Sequence, residues 1–234
     1  LPAMKRYRHL FFDLDHTLWD FTANSRATLR ELAEAYRLRD HGVADSDAFI
    51  GAYEAVNRAL WAEHGAGRMP KEVLRVLRFR AALQRCGVLD NRLPEALSRA
   101  YLERCPRKTK LMPGAAELLD AVAGRYRLHI VTNGFDEVQR IKLRCSGIAA
   151  RFEVVLSSER AGASKPDARI FLAAMRQAGA APAESLMIGD SPEADMAGAR
   201  AAGIDHAHYH AESEPDAMAT YRVADHEALR RLLA

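Results

Sequence analysis

Asp13 and Asp15 stand two residues apart where an apolar run, Phe11-Phe12-Asp13-Leu14-Asp15, gives way to a loop carrying Thr17. On an extended strand residues i and i+2 share a side, so both carboxylates can face one pocket as the strand runs out. Two acids this close repel each other. A bound divalent cation would offset that repulsion, and a divided reaction could use one acid as nucleophile and the other as proton donor. Taken alone, the same residues also fit a strand ending in an Asx turn. Further along, Ile130-Val131 ends in Thr132-Asn133-Gly134, and Met187-Ile188 ends in Gly189-Asp190, with Asp195 five residues beyond Asp190. Lys165 lies in a loop stiffened by Pro166. Three carboxylates, a Thr/Asn pair and a lysine suit a hard cation together with a phosphoryl group. Oxygens ligate the cation, while hydroxyl, amide and ammonium hold phosphate oxygens. Each piece has a plainer reading by itself: a turn at Thr132-Asn133-Gly134, a solvated Lys165, and an Asp195 favoured by a helix dipole.

The elements that must position these groups are legible in the pattern. His9 to Leu14 reads as a buried strand. From about Asp20 to Arg104 apolar residues recur at three- and four-residue spacing, as in Ala27-Leu29-Leu32, Phe49-Tyr53-Val56-Leu60 and Val73-Leu74-Leu77-Ala81, which predicts a helical block. Beyond Pro113-Gly114 short apolar strands alternate with helices: strands over Leu128 to Val131, Phe152 to Leu156, Leu186 to Ile188, His206 to Tyr209 and Tyr221 to Ala224. The helices fall over Ala115 to Val122, Glu137 to Cys145, Ala168 to Ala178, Ala194 to Ala202 and Glu227 to Leu233. A β-α-β-α succession of apolar strands implies an α/β fold with a parallel sheet covered on both faces, joined by the first strand. Ligands in such sheets sit at the carboxyl ends of the strands, which brings the polar strand ends to one crevice. The expected division is an α/β core over residues 1–19 and 105–234, with a helical insertion over 20–104.

Composition excludes several classes. The 34 basic and 31 acidic residues leave a net charge of +3, too little to argue for nucleic acid or a membrane surface. Cys86, Cys105 and Cys145 are few and widely spaced, as expected of reduced thiols rather than a disulfide framework. No segment approaches the length of a membrane span, and Leu1 to Lys5 has no signal-like apolar stretch, so a cytoplasmic location is expected. Met4 to Arg8 reads as a basic lead-in. His206, His208 and His210 alternate on one strand face, which reads as an exposed sheet face in the absence of an acid or thiol partner, with a metal site as the alternative.

The order Asp13-Leu14-Asp15-His16-Thr17, Thr132-Asn133, Lys165-Pro166 and Gly189-Asp190 through Asp195 resembles the four signature motifs of the haloacid dehalogenase (HAD) superfamily, over the whole chain. The resemblance implies a Rossmann-like core with an α-helical cap. It implies Asp13 as the nucleophile that forms an aspartyl-phosphate and Asp15 as the general acid/base. Thr132, Asn133 and Lys165 would hold phosphate. Mg²⁺ would be bound by the carboxylates of Asp13 and Asp190 and the main-chain carbonyl of Asp15, with Asp195 supporting it from behind or through a water. His16 falls at a variable motif position. Asp15 favours a phosphatase over the dehalogenases of the superfamily, which lack that acid, since a halide needs no proton. Lys71, the lysine of the helical block, reads as an exposed helix start rather than the Schiff-base lysine of phosphonate-cleaving members, and phosphomutases remain possible.

The stretch from Asn133 to Lys165 has room for a helix and a strand but not for a second inserted unit. The helical block is therefore expected to act as the cap that closes on substrate. Trp19-Asp20-Phe21, Ala55-Val56-Asn57-Arg58-Ala59-Leu60-Trp61 and Asn133-Gly134-Phe135-Asp136 resemble a bacterial subgroup of pyrimidine nucleoside 5′-monophosphate phosphatases. Trp19, Phe21, Asn57 and Trp61 could supply stacking faces and an amide for a base, although Val56 and Trp61 equally suit the core of a cap helix. The expectation is thus a Mg²⁺-dependent phosphomonoester hydrolase with a small phosphate ester as partner, a nucleoside monophosphate first. A sugar-phosphate or phosphoglycolate phosphatase is the alternative, and a non-enzymatic binding protein stands further off. Monomer and homodimer are both left open.

Overall fold

The computed structural model describes residues 7–210 and 214–234, so Met4 to Arg6 of the basic lead-in, like the start of the chain, lie outside the described residues. Two compact units are formed, Leu1–Phe21 with Thr109–Ala234, and Thr22–Lys108.

The first unit is built on six parallel strands: β1 (His9–Phe12), β2 (Arg127–Thr132), β3 (Phe152–Ser157), β4 (Ser185–Gly189), β5 (Asp205–Tyr209) and β6 (Tyr221–Val223). Their order across the sheet is β3-β2-β1-β4-β5-β6. β1 is central because both of its edges are used: Phe12 lies beside Ile130 of β2 and beside Ile188 of β4. Every residue of β1 is buried, as a strand covered on both faces requires. The chain winds outward in opposite directions from β1, so the switch point of the sheet lies between β1 and β4. Helix α8 (Ala168–Ala178) and helix α9 (Ala197–Ala201) cover one face, where Phe171, Met175 and Ala199 pack on Phe11, Val131 and Met187. Helix α5 (Ala115–Val122) packs with helix α10 (His226–Leu233), whose His226 ring stacks 4.5 Å from Tyr209 of β5. Helix α6 (Asp136–Cys145) follows β2, and the single turn α7 (Ser158–Ala161) follows β3.

The second unit contains most of α1 (Phe21–Ala35), then α2 (Ser46–Gly65), α3 (Lys71–Arg85) and α4 (Leu93–Arg104). The Asp45 side chain caps α2 by accepting from the Ala48 N–H at 2.8 Å. α3 packs on both α2 and α4. At that seam Tyr53, Phe79 and Tyr101 cluster with ring centroids 5.0 to 5.6 Å apart around the buried Arg78 guanidinium.

Three sequence expectations are adjusted. β1 stops at Phe12 rather than Leu14: the Asp13 N–H still bonds the Ile188 carbonyl at 2.9 Å, but Leu14 turns back to accept from Leu18 and Trp19. The helix expected over 194–202 begins earlier, as a π-helical turn over Pro192–Met196 that precedes α9. His206 and His208 are buried rather than exposed: β5 lies inside the sheet between β4 and β6, and main-chain groups take His206 Nδ1 and both ring nitrogens of His208. No helix among the described residues is long and apolar enough to cross a membrane.

Candidate active site

β1 and β4 deliver Asp13 and Asp190 to the two sides of the switch point, each at the first position beyond its strand. The π-helical turn returns Asp195 to the same place. The Ser191 side chain caps that turn by accepting from the Ala194 N–H, and the Asp195 carboxylate accepts from the Ser191 N–H at 3.1 Å. Gly189 makes room: a Cβ there would stand 2.3 Å from the Asp195 carboxylate oxygen. Carboxylate oxygens of Asp13, Asp190 and Asp195 all lie within 4.8 Å of one another.

Lys165 enters this cluster from the loop before α8. Its Nζ donates to Asp13 Oδ1 at 2.5 Å and to Asp195 Oδ1 at 2.6 Å. The lysine is aimed by Asn133, whose side-chain oxygen accepts from the Lys165 N–H at 2.8 Å and whose Nδ2 donates to the Lys165 carbonyl at 3.0 Å. The Asn133 amide is therefore engaged with the backbone of the lysine loop.

Three acids around one ammonium leave uncompensated negative charge. Burial, opposed by Lys165 and reinforced by Asp195 and Asp190, pushes the Asp13 carboxyl up to about 8. Burial and the Asp195 charge push Asp190 up to about 7. Burial works against the Lys165 charge as well, yet Asp13 and Asp195 hold its ammonium above the usual lysine range. A divalent cation held by oxygen ligands supplies the missing positive charge, so the donor set fits a hard cation.

The Asp15 carboxylate has different partners. Lys142 Nζ donates to both of its oxygens, at 2.6 and 2.8 Å, and Gln139 Nε2 donates to Oδ2 at 2.9 Å. Burial alone would raise this carboxyl, but the Lys142 ammonium and the Gln139 amide hold it below the usual carboxylate range. Gln139 also donates to Thr132 Oγ1 at 2.8 Å, and the Gly134 N–H donates to the same oxygen at 3.1 Å. A hydroxyl has two acceptor sites and one proton. Both acceptor sites of Thr132 are used, which leaves its O–H to donate to a ligand.

The residues named for base recognition separate. Trp19 is fully buried, and the Lys142 ammonium sits 4.4 Å from its ring centroid, so that ring face serves the lysine. Phe21 is partly buried, 5.2 Å from the His16 ring. In the helical unit Asn57 is buried and its Oδ1 accepts from Arg78 at 3.3 Å, while Trp61 is partly exposed with its ring edge-on to His64.

Four contributors were given no role at this site by the sequence. Thr17 Oγ1 donates to Asp190 Oδ1 at 3.0 Å. His208 accepts the Asp216 N–H on Nδ1, so its Nε2 carries the proton and donates to the Asp190 carbonyl at 3.0 Å. Gln139 and Lys142 occupy the same helix stripe as Phe135 and Leu143, all four buried. Two polar residues in an apolar stripe were the available signal, since such positions are seldom polar without partners.

Comparison with known proteins follows the same lines. A family model described as haloacid dehalogenase-like hydrolase matches residues 7–203. Pyrimidine 5′-nucleotidase PynA of Streptococcus pneumoniae is 35% identical over 228 residues, covering 95% of this chain and 93% of that protein. Pyrimidine 5′-nucleotidase YjjG of Escherichia coli is 33% identical over 229 residues, covering 96% of each. The crystal structure of the HAD-hydrolase YfnB of Bacillus subtilis, bound to magnesium, superposes with a TM-score of 0.86 at 30% identity, covering 98% of this chain and 99% of that one.

Proposed function

The chain belongs to the haloacid dehalogenase-like hydrolases, and on that footing we propose that it is a Mg²⁺-dependent phosphomonoesterase acting on pyrimidine nucleoside 5′-monophosphates. One observation carries the reaction type. Asp13 sits at the switch point against Lys165 and two further carboxylates, while Asp15, two residues on, is kept out of that cluster by its own partners. The attacking carboxylate and the proton-transfer carboxylate are thereby given separate surroundings: a cation beside Asp13 would favour its ionised, attacking form, and a phosphate dianion near Asp15 would draw its carboxyl back up toward the protonated form that the first step uses.

Asp13, its Oδ1 oriented by Lys165, attacks phosphorus, so that an aspartyl-phosphate, a mixed anhydride, forms at Asp13 while the bond from phosphorus to the nucleoside oxygen breaks. Asp15 gives that leaving oxygen a proton. In the second step Asp15 takes a proton from water, whose oxygen attacks the phosphoryl group, releasing inorganic phosphate and restoring the Asp13 carboxylate. Thr132 and Lys165 hold phosphate oxygens, and Asn133 serves by fixing the lysine loop. Asp13 and Asp190, with the Asp15 carbonyl, are the residues that would hold Mg²⁺, and Asp195 backs them. When bound, the ion supplies the charge neutralisation that lets a carboxylate approach a phosphate dianion.

The nucleotide assignment rests on the two nucleotidases that resemble the chain over nearly its full length. Phe21 and Trp61 are the aromatic faces proposed for the base, with a cytoplasmic pool of small phosphate esters as the setting. The test is a phosphate-ester screen with Mg²⁺: UMP, dUMP and dTMP against sugar phosphates and phosphoglycolate, with Asp13→Asn as control. Fastest turnover on the pyrimidine nucleotides, lost in the variant, is the expected result. A preference for sugar phosphates would overturn the substrate, and turnover unchanged in Asp13→Asn would overturn the mechanism.

A further inference from the structure

We infer that Lys142 and Gln139 are positioning residues that hold the Asp15 carboxylate at the reach and angle needed to exchange a proton with the leaving oxygen, an inference that rests on the phosphomonoesterase reading above. Lys142 is 3% exposed and meets Asp15 through two donors at 2.6 and 2.8 Å. On its other side the ammonium lies over Trp19 at 4.4 Å and Phe21 at 5.4 Å, so the charge is fixed from both directions. Gln139 joins Asp15 Oδ2 to Thr132 Oγ1 through one amide nitrogen. The proton-transfer group and a phosphate donor are thus tied into one rigid unit. The chain leaves space for this: a Cβ on Gly134 would lie 2.0 Å from Gln139 Nε2.

An ordinary structural ion pair explains this poorly. Buried pairs gain little over well-packed apolar residues, because desolvation consumes most of the attraction. A carboxylate held by three N–H donors from one helix has instead lost its rotational freedom, which is what a proton-transfer group must lose to be effective.

The distinguishing readout is leaving-group dependence in kcat/KM, which reports only steps through the first phosphoryl transfer. An alkyl phosphate such as UMP needs a proton on its leaving oxygen, whereas 2,4-dinitrophenyl phosphate does not. Removing the Lys142 charge would by itself favour the protonated acid, so a rise for UMP would mark a purely electrostatic role, whereas lost positioning predicts that Lys142→Met lowers kcat/KM for UMP by about 10-fold or more beyond any loss on the dinitrophenyl ester. Lys142→Arg keeps a two-pronged donor and should leave the ratio of the two esters near the wild-type value. Since Lys142→Met leaves a buried charge unpaired, the double variant Lys142→Met/Asp15→Asn is measured alongside. It should fold better than Lys142→Met and match Asp15→Asn in both esters. Equal losses on the two esters, or a further loss of UMP selectivity in the Asp15→Asn background, would overturn the positioning role while leaving the phosphatase reading intact. Wild-type protein inert toward both esters would overturn both.

Discussion

Asp13 and Asp15 are separated by one leucine, yet their carboxyls titrate in opposite directions: burial among acids raises the first, and Lys142 with Gln139 depresses the second. The alternation of a strand explains the closeness of their backbones, and the turn back at Leu14 explains why the side chains do not share partners. Asp13→Asn keeps shape while removing the attacking anion. Steady-state turnover should fall by roughly 10⁴-fold or more, as when a covalent nucleophile is removed elsewhere. Thr132→Val removes the single hydroxyl proton aimed at phosphate. It should cost about 10- to 100-fold in kcat/KM, the worth of one charge-assisted hydrogen bond, and weaken competitive inhibition by inorganic phosphate in parallel. Asp13, Asp15, Thr132 and Asp190 were readable as polar residues where apolar strands end, and Lys165 as a lysine in a proline-stiffened loop. Thr17 and His208 were not, because their work depends on which backbone and carboxylate oxygens the fold brings to them.

At the scale of elements, the strands were legible because each is a short apolar run bounded by turn residues, and the observed ends differ by a residue or two. The π-helical turn at Pro192–Met196 was hidden, since nothing in Pro192-Glu193-Ala194 distinguishes a wide turn from the start of an ordinary helix until Asp195 has to reach back past Gly189. Helix α6 was placed correctly, but its polar stripe residues were passed over because periodicity counts apolar positions. Two glycines report on these elements. Gly189→Ala would drive a Cβ into the Asp195 carboxylate and Gly134→Ala into the Gln139 amide. Each should lose about 1 to 3 kcal/mol in urea unfolding, the usual cost of overpacking. Gly189→Ala should also weaken Mg²⁺ binding measured by calorimetry, whereas Gly134→Ala should spare it.

Across the whole molecule, buried imidazoles weaken the fold as the pH falls. His129 is fully buried between Phe11 and His9, and burial lowers it from 6.5 to about 4, while His9 and His226 are lowered too. Between those two values the unfolded chain takes up a proton that the folded one refuses. The contribution of His129 is therefore complete above about pH 6.5 and is lost as pH falls toward 4, by up to roughly 3 kcal/mol. Urea unfolding of the wild type and of His129→Phe at pH 7 and pH 4.5 should show acidification costing the wild type more than the variant. The junctions of the helical unit carry another consequence. The Asp20 N–H bonds the Lys110 carbonyl at 3.1 Å, and Trp19 bridges Leu111 in antiparallel fashion, so the chain departs and returns along one two-stranded stem. An insertion mounted on such a stem can be exchanged for another without rethreading the sheet, which makes the first unit a chassis for grafted modules.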